Sequence, residues 1–306
     1  MLQLKEAGFN SIKDIVIRGP VEVAKSAQLT LEEAANVCNN ASLLLEQQGV
    51  IPNNVPEVGN NNNNSTSNKE YIKTGSAALD SLFGGKGIET GAITEFYGHS
   101  GSGKTQICLS LCVMVQKLHP DNKAIYIDTE GKFRPERIAE IAHKKEMDVG
   151  KSLHNIKVAP VLNSARLETL IQQDCSSAIA IDPQVKLLVV DSVISLYRAE
   201  YSDRSMLSQR QHQLLKIMRV LQNIAQAYNI AVVITNQIQT SPNELMNNSD
   251  KPIGGNVMAH SSTFRIQLRG SNPGKMWAKL MSSPCYPQGD IRFSINDMGI
   301  IDVTDD

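Results

Sequence analysis

Short apolar runs alternate with amphipathic stretches along the chain from Tyr71 onwards. The run from Val185 to Val190 is almost entirely apolar, which is typical of a strand buried on both faces of a parallel sheet. Alternating strands and helices predict an α/β fold with a doubly wound, mostly parallel sheet, whose ligands lie at the carboxyl ends of the strands. The predicted strands are Ala92–Tyr97, Ala124–Asp128, Ile156–Ala159, Val185–Asp191, Ile230–Asn236, Phe264–Leu268, Trp277–Met281 and Ile291–Ile295.

The last three of these strands follow one another without intervening helices, so we expect an antiparallel edge. A long helix is predicted from about Met206 to Tyr228, because apolar residues recur along it at mostly helical spacing. We interpret this stripe as core packing rather than as a binding surface. Its members are Leu207, Leu214, Leu215, Ile217, Met218, Leu221, Ile224 and Ala225.

The chain divides into three predicted parts. Residues 1–48 form a small helical module, in which Thr30 and Glu33 make a capping-box pattern that opens a helix. Residues 49–70 contain an Asn- and Ser-rich tract without apolar periodicity, which predicts a flexible linker. Residues 71–306 form the α/β unit.

Composition narrows the functional classes only slightly. The 306 residues include 30 basic and 31 acidic side chains, so DNA or RNA binding would need a local basic patch. The five cysteines show no zinc-ligand spacing, and we expect reduced thiols that lie mostly in the core. No apolar stretch approaches the ~20 residues of a membrane span, so we expect no membrane association and a cytoplasmic location.

A phosphate-binding loop follows the first predicted strand of the sheet and precedes a helix-compatible run. Its glycines allow backbone N–H groups to surround phosphate oxygens, and the helix N-terminus adds a favourable dipole. The loop predicts a bound nucleoside triphosphate, with Lys104 on the β- and γ-phosphates and the Thr105 hydroxyl on Mg²⁺. The complete G-x-x-x-x-G-K-[ST] pattern is Gly98, His99, Ser100, Gly101, Ser102, Gly103, Lys104 and Thr105.

Polar residues end three further strands. Asp191 follows four apolar residues, and together with the phosphate loop it is predicted to hold magnesium through water beside Thr105. Glu130 fits two interpretations equally well: a base that activates water, or a residue favoured by the dipole of the next helix. For Gln237 the residues alone favour ordinary end-of-strand capping over phosphate sensing.

The ordered set of motifs closely resembles the RecA-like recombinases, and most closely the archaeal RadA-type proteins and their eukaryotic relatives. The resemblance extends from residue 71 to about residue 302. It implies a RecA-like P-loop ATPase core joined to a small helical N-terminal module. Besides the phosphate loop, the motifs are Y-I-D-T-E-G-x-F-R-P-E-R, L-L-V-V-D-S, R-A-E-Y, L-S-x-R-Q, V-I-T-N-Q and K-P-I-G-G-N-x-x-A-H-S.

The resemblance implies a DNA-dependent ATPase that uses ATP and Mg²⁺. In that family the protein polymerises on single-stranded DNA and exchanges strands with homologous duplex DNA. Carried over by position, Glu130 corresponds to the catalytic glutamate and Gln237 to the γ-phosphate sensor, beside Lys104. Arg137 corresponds to a residue that packs on adenine, and His260 to a histidine near the γ-phosphate at the subunit interface.

Two loops correspond to the DNA-binding loops of the family, at about residues 198–211 and 238–256. Phosphates dominate such binding and are contacted by Arg, Lys and backbone amides. Without the resemblance, Arg204 and Arg210 would be interpreted as part of a solvated helix face. The implied DNA contacts are Arg204, Arg210, Lys251, Gly254 and Gly255.

Three departures from the family pattern leave an alternative open. Residues 1–48 lack the Gly-rich helix-hairpin-helix motif, the linker lacks the Phe-x-x-Ala segment, and Leu245–Met246 replaces an aromatic pair. The alternative is a paralogue that binds ATP and DNA but acts as a loader or adaptor. The recombinase interpretation implies self-association into filaments or rings, recombination mediator proteins as partners, and an intracellular, nucleoid-associated location.

Overall fold

The computed structural model describes residues 2–48, 69–239, 251–272 and 274–303. Most of the linker and the middle of the second loop, with Leu245–Met246, lie outside the described residues. The helices are α1 (Leu2–Glu6), α2 (Ile12–Ala27), α3 (Leu31–Gln47), α4 (Ala77–Ser81), α5 (Lys104–Leu118), α6 (Pro135–Lys144), α7 (Val149–His154), α8 (Ser164–Thr169), α9 (Ser176–Ile181), α10 (Ser195–Glu200), α11 (Leu207–Tyr228) and α12 (Gly255–Ser261). The strands are β1 (Tyr71–Ile72), β2 (Ile88–Glu89), β3 (Ile93–Gly98), β4 (Lys123–Asp128), β5 (Ile156–Pro160), β6 (Val185–Asp191), β7 (Ala231–Gln239), β8 (Lys251–Pro252), β9 (Phe264–Asn272), β10 (Lys275–Ser282), β11 (Asp290–Asn296) and β12 (Gly299–Asp302).

The N-terminal module consists of α1, α2 and α3 around its own small core. Capping boxes open both longer helices: Ser11 with Asp14 begins α2, and Thr30 with Glu33 begins α3, as the sequence predicts. Gly19, with φ of 73°, bends α2 just before Pro20. The buried core of the module contains Leu4, Phe9, Ile15, Val23, Ala27, Ala34, Cys38 and Ala41.

The module packs on α11 of the α/β unit through α2. Ile17 of α2 is 1% exposed and belongs to the same apolar cluster as the buried face of α11. Asn223 Nδ2 donates a 3.0 Å hydrogen bond to the carbonyl oxygen of Ile17, and Lys13 Nζ lies 4.5 Å from the ring centroid of Tyr228. The buried Ile17, the hydrogen bond from Asn223 and the contact of Lys13 with Tyr228 therefore join the two units.

The main sheet has the strand order β12-β11-β10-β9-β3-β7-β6-β4-β5, and the short β8 pairs with the end of β7. The strands from β9 to β5 are parallel, whereas β10, β11 and β12 are antiparallel to their neighbours. The predicted antiparallel edge is confirmed, and it begins at the β9–β10 pair. The sequence pattern did not predict β1, β2, β8 and β12, because two to four residues are too few to establish a period.

Helices cover both faces of this sheet, so the doubly wound architecture is confirmed. In β6, Leu187 and Val189 pack with the α5 side, while Leu188 and Val190 pack with the α11 side. The prediction for α11 is wrong at two positions: Leu207 is 40% and Leu215 is 50% exposed. Leu215 directly follows the buried Leu214, and consecutive helix positions lie about 100° apart, which turns its side chain away from the sheet.

The last strand caps the first helix of the α/β unit. At the amino end of α4, the backbone N–H of Ala78 donates a 2.8 Å hydrogen bond to Asp302 Oδ1, and Ser76 Oγ donates to the same oxygen. The bond from Ser76 lowers the pKa of Asp302, so its charge is retained where it meets the helix dipole. The two ends of the α/β unit are thereby joined.

Four of the five cysteines are buried and Cys285 is exposed, and all five are free thiols, as expected. Burial raises the pKa of Cys175 to about 12. Within the described ranges, no helix is both long and apolar enough to span a bilayer.

Candidate functional site

The phosphate loop, residues 98–105, joins the carboxyl end of β3 to the amino end of α5. Gly101 and Gly103 have φ values of 78° and 86°, in the left-handed region that favours glycine. Gly98 lies so close to β9 that an added Cβ would be 2.3 Å from the carbonyl oxygen of Leu268. The path of the loop therefore depends on glycine at all three positions. The loop residues that are open to solvent are His99, Ser100 and Gly101.

Lys104 folds back over this loop from the first position of α5. Its Nζ donates hydrogen bonds to the carbonyl oxygens of Gly98 at 2.8 Å and His99 at 2.7 Å, and lies 3.3 Å from Ser102 Oγ. Burial lowers the pKa of the Lys104 amine, and the nearby Asp191 opposes that effect. The ammonium is therefore placed within the curve of the loop, where the sequence predicts phosphate.

Asp191 lies at the centre of a buried cluster of hydroxyl groups. Its carboxylate is 2% exposed and accepts hydrogen bonds from Thr105 Oγ1 at 2.8 Å, Tyr126 OH at 2.7 Å and Thr235 Oγ1 at 2.5 Å. All three donors are neutral, and among the described residues no cation forms a salt bridge with this carboxylate. A buried charge of this kind favours a bound cation. Asp191 thus lies beside Thr105, and the magnesium-binding role of the two residues stays a prediction.

The donor set of this cluster fits magnesium. A carboxylate and a hydroxyl are hard oxygen ligands, and Mg²⁺ is commonly bound by one or two carboxylates together with water and substrate phosphates. Across the part of the chain that the structure describes, no group of three or more His, Cys, Asp or Glu could hold a metal ion. A magnesium ion at Thr105 and Asp191 would therefore take its remaining ligands from water and the nucleotide.

Glu130 lies between an amide and an ammonium group just beyond β4. Gln237 Nε2 donates a 2.9 Å hydrogen bond to Glu130 Oε1, and Lys132 Nζ makes a salt bridge to Oε2. Gln237 lies near the end of β7, so the two strand ends meet through these side chains. Glu130 is therefore in hydrogen-bond contact with the candidate sensor, and its catalytic role stays a prediction.

Gln237 also contacts the segment that carries the predicted second DNA loop. The backbone N–H of Ile253 donates a 2.9 Å hydrogen bond to the carbonyl oxygen of Gln237. The neighbouring Asn236 donates from Nδ2 to the carbonyl oxygen of Ile253 and to Glu95 Oε1, both at 2.8 Å. Gly254 is the next residue after Ile253. A shift of Gln237 would therefore reach the second-loop segment through a single hydrogen bond.

Arg137 lies on α6 beside the phosphate-loop helix. Its Nε donates a 2.8 Å hydrogen bond to Gln106 Oε1, two residues beyond Lys104, and its guanidinium also donates to Glu140 and to the carbonyl oxygen of Asn296. The structure thus brings Arg137 next to the phosphate loop. Its predicted contact with adenine stays a prediction.

His260 does not join the phosphate-loop cluster within one chain. It is exposed near the carboxyl end of α12 and lines a cavity of about 460 Å³ with Arg219 and Gln222 of α11. No phosphate-loop residue lines this cavity. A contact with nucleotide would have to come from a second subunit, as the resemblance implies, and it stays a prediction.

Of the three basic residues predicted to contact DNA, the structure describes the side chain of Arg210 alone. Arg210 is half-buried and its Nη1 donates a 3.4 Å hydrogen bond to the carbonyl oxygen of Tyr201. The side chains of Arg204 and Lys251 lie outside the described residues, although their backbones belong to a 3₁₀ turn and to β8. These DNA-binding roles stay predictions.

Gly254 and Gly255 lie where α12 begins. Gly254, with φ of 91°, packs so closely that an added Cβ would lie 2.5 Å from Met258 Cγ. Gly255, with φ of 54°, is exposed and has open space around it. Glycine is therefore required by packing and backbone conformation at the first position, and by backbone conformation alone at the second.

Comparison with known proteins agrees with this geometry. The family model named Rad51 matches residues 67–303. The chain belongs to the Rad51 family. The DNA repair and recombination protein RadA of Cenarchaeum symbiosum (strain A) is 38% identical over 304 residues, which cover 98% of this chain and 75% of that relative. The resemblance inferred from the sequence motifs is confirmed.

Sequence reasoning missed three side chains of this Rad51-family site. Tyr126 and Thr235 bond to Asp191 from strands on either side of β6, and Lys132 pairs with Glu130. Tyr126 begins the motif that ends in Arg137, so the motif contained the signal, but nothing in the sequence indicated which strand lies beside β6. Lys132 lies only two residues from Glu130, and an i, i+2 pair in a loop has no characteristic pattern.

Proposed function

We propose that this chain is a DNA-dependent ATPase that assembles on single-stranded DNA and promotes homologous pairing and strand exchange in recombination and repair. The observation that carries the proposal is the convergence of Lys104, Glu130, Asp191 and Gln237 at the carboxyl ends of adjacent parallel strands. This is the edge at which ligands bind in open α/β sheets. The RadA relative is a DNA repair and recombination protein by name, which supports the same function.

ATP is the proposed nucleotide, held by residues 98–105 and by Arg137 beside α5. The loop amides and Lys104 would neutralise the phosphates, while Thr105 and Asp191 would hold Mg²⁺. Magnesium, when bound, supplies electrostatic stabilisation of charge on the transferring phosphoryl group. His260 would reach the γ-phosphate of a neighbouring subunit.

Glu130 would orient and deprotonate the attacking water. Its carboxylate is 14% exposed and is held by Gln237, so its position is largely fixed before reaction. Gln237 would sense the γ-phosphate, and its backbone bond to Ile253 would transmit the resulting shift. The segment that follows carries Gly254 and Gly255, whose amides would contact DNA phosphates with Arg204, Arg210 and Lys251.

Single-stranded DNA and homologous duplex DNA are the proposed nucleic-acid partners, and copies of the chain would assemble into filaments or rings. Because the chain is nearly neutral, with a net charge of −1, DNA binding would depend on these few contacts rather than on a general basic field. Recombination mediator proteins remain predicted partners, and the nucleoid remains the predicted location.

The test is ATP hydrolysis with and without single-stranded DNA, with electron microscopy of the same mixtures. We expect stimulation by DNA together with helical filaments. Lys104→Ala should abolish nucleotide-dependent activity, and Glu130→Gln should retain ATP binding while losing turnover. Binding without stimulation or filaments would replace strand exchange with the loader function, and full activity of Lys104→Ala would refute the nucleotide site.

A further inference from the structure

Both carboxylate oxygens of Glu130 are engaged by other side chains of the same chain. Oε1 accepts from Gln237, and Oε2 accepts from the ammonium group of Lys132. A carboxylate that takes a proton from water needs a lone pair directed at that water. The ammonium of Lys132 occupies one acceptor direction of Oε2 and stabilises the negative charge, which makes the carboxylate a weaker base.

The two side chains of this salt bridge differ in solvent exposure. The side chain of Glu130 is 14% exposed, whereas that of Lys132 is 52% exposed. Lys132 has a flexible four-carbon stem on a surface loop, so it is the partner that can leave. Its hydrogen bond to Glu130 raises the pKa of Lys132, so the ammonium remains charged at neutral pH.

Further charges surround the pair from the neighbouring elements. Lys104 from α5 acts electrostatically on both members, and Asp128 from β4 and Asp191 from β6 act on Lys132. The ammonium groups of Lys104 and Lys132 therefore both lie near Glu130 and Asp191. A polyanionic phosphate group beside Lys104 would attract Lys132 away from Glu130, because opposite charges at such separations interact strongly.

We propose that Lys132 is a positioning residue that restrains Glu130 and keeps ATP hydrolysis low in the absence of DNA. The proposal rests on the proposed function, in which Glu130 is the base. Lys132 holds Oε2 until phosphate and the rearrangement transmitted through Gln237 draw the two side chains apart. Neither the family motif nor the phosphate loop assigns this role.

The experiment is Lys132→Met in the full chain, with ATP hydrolysis measured over a range of ATP concentrations, with and without single-stranded DNA. We expect the DNA-independent kcat to rise about two- to fivefold, which is the range that a half-exposed ion pair can supply. The KM for ATP should stay within about twofold, and the DNA-stimulated kcat should not change. Lys132→Arg retains the cation and should restore the low rate.

Lys151→Met is the matched control. Lys151 is 43% exposed and pairs with Asp121 at 2.7 Å, on α7 at the amino ends of the strands, so its loss should leave both rates unchanged. An unchanged or lower DNA-independent kcat in Lys132→Met would overturn the proposal, as would equal activation by Lys132→Arg. Glu130→Gln separates the two possible failures. If it keeps full turnover, the base of the proposed function is wrong; if it loses turnover while Lys132→Met has no effect, only the restraint is wrong.

Discussion

Gln237 is bonded to both Glu130 and Ile253: its side chain donates to Glu130 at 2.9 Å, and its carbonyl oxygen accepts from the N–H of Ile253 at 2.9 Å. The candidate base and the candidate DNA segment are therefore both directly bonded to one residue. No longer chain of contacts is needed to connect the two sites.

Replacing Gln237 with alanine should uncouple the candidate base from the candidate DNA segment. We expect DNA-stimulated ATP hydrolysis to fall about 10- to 100-fold, because Glu130 loses the amide that fixes its position. The Kd for ATP should change little, since the phosphate loop is untouched. Steady-state kinetics and equilibrium ATP binding measure the two effects. Gln222→Ala, on α11, is the control, and a stimulated rate equal to wild type would place Gln237 outside the coupling.

Tyr126→Phe removes one of the three hydroxyl groups that bond to the buried Asp191. We expect the free energy of unfolding to fall by about 1.5–3 kcal/mol, the range for hydrogen bonds to charged groups. The Mg²⁺ concentration for half-maximal ATPase activity should also change, because Asp191 loses an orienting partner. Urea unfolding and magnesium titration test both statements. Tyr71→Phe on β1 should change neither, and wild-type stability of Tyr126→Phe would show that the hydroxyl is dispensable.

Gly98→Ala should disrupt the phosphate loop through packing alone. The new Cβ would lie 2.3 Å from the Leu268 carbonyl oxygen and 2.6 Å from Ser102 Oγ, so β3 and β9 would have to separate. We expect a loss of about 1–3 kcal/mol in stability and a large loss of ATP binding. Gly289→Ala, whose Cβ would meet Leu82 at 3.7 Å, is the control. Tight ATP binding by Gly98→Ala would contradict the close approach.

Ile17→Ala should weaken the docking of the N-terminal module on α11. Removing this buried side chain should cost about 2–5 kcal/mol, while the module retains its own separate core. Small-angle scattering should show a larger radius of gyration, with the helical content by circular dichroism unchanged. Val21→Ala, at a 70% exposed position of the same helix, should have no effect. An unchanged radius for Ile17→Ala would mean that the polar contacts suffice.

The strand β6 and the phosphate loop could be predicted because their signals are local. A continuous apolar run indicates a strand buried on both faces of the sheet. The spacing of the glycines predicts the backbone conformation of a phosphate-binding loop. The exposed Leu215 shows the limit of this reasoning, because spacing identifies an apolar stripe but not where the covered face ends.

The surroundings of Asp191 could not be predicted for a different reason. Thr235 and Tyr126 reach it from β7 and β4, which flank β6 in the sheet but not in a fixed order along the chain. Strand order is a property of the folded sheet. Side-chain partners across it become identifiable only once neighbouring strands are known.

The cap that Asp302 places on α4 also bears on the synthesis of the protein. Ser76 and Asp302 are 226 positions apart, so the first helix of the α/β unit leaves the ribosome long before its capping carboxylate exists. The strand β3 likewise pairs with β7 and β9, which are synthesised much later. Such non-local pairing is slow, and apolar surface stays exposed until it is complete. During translation, then, the nascent chain would hold a nearly complete sheet while its first helix, capped locally by Ser76, still lacks the carboxylate of Asp302.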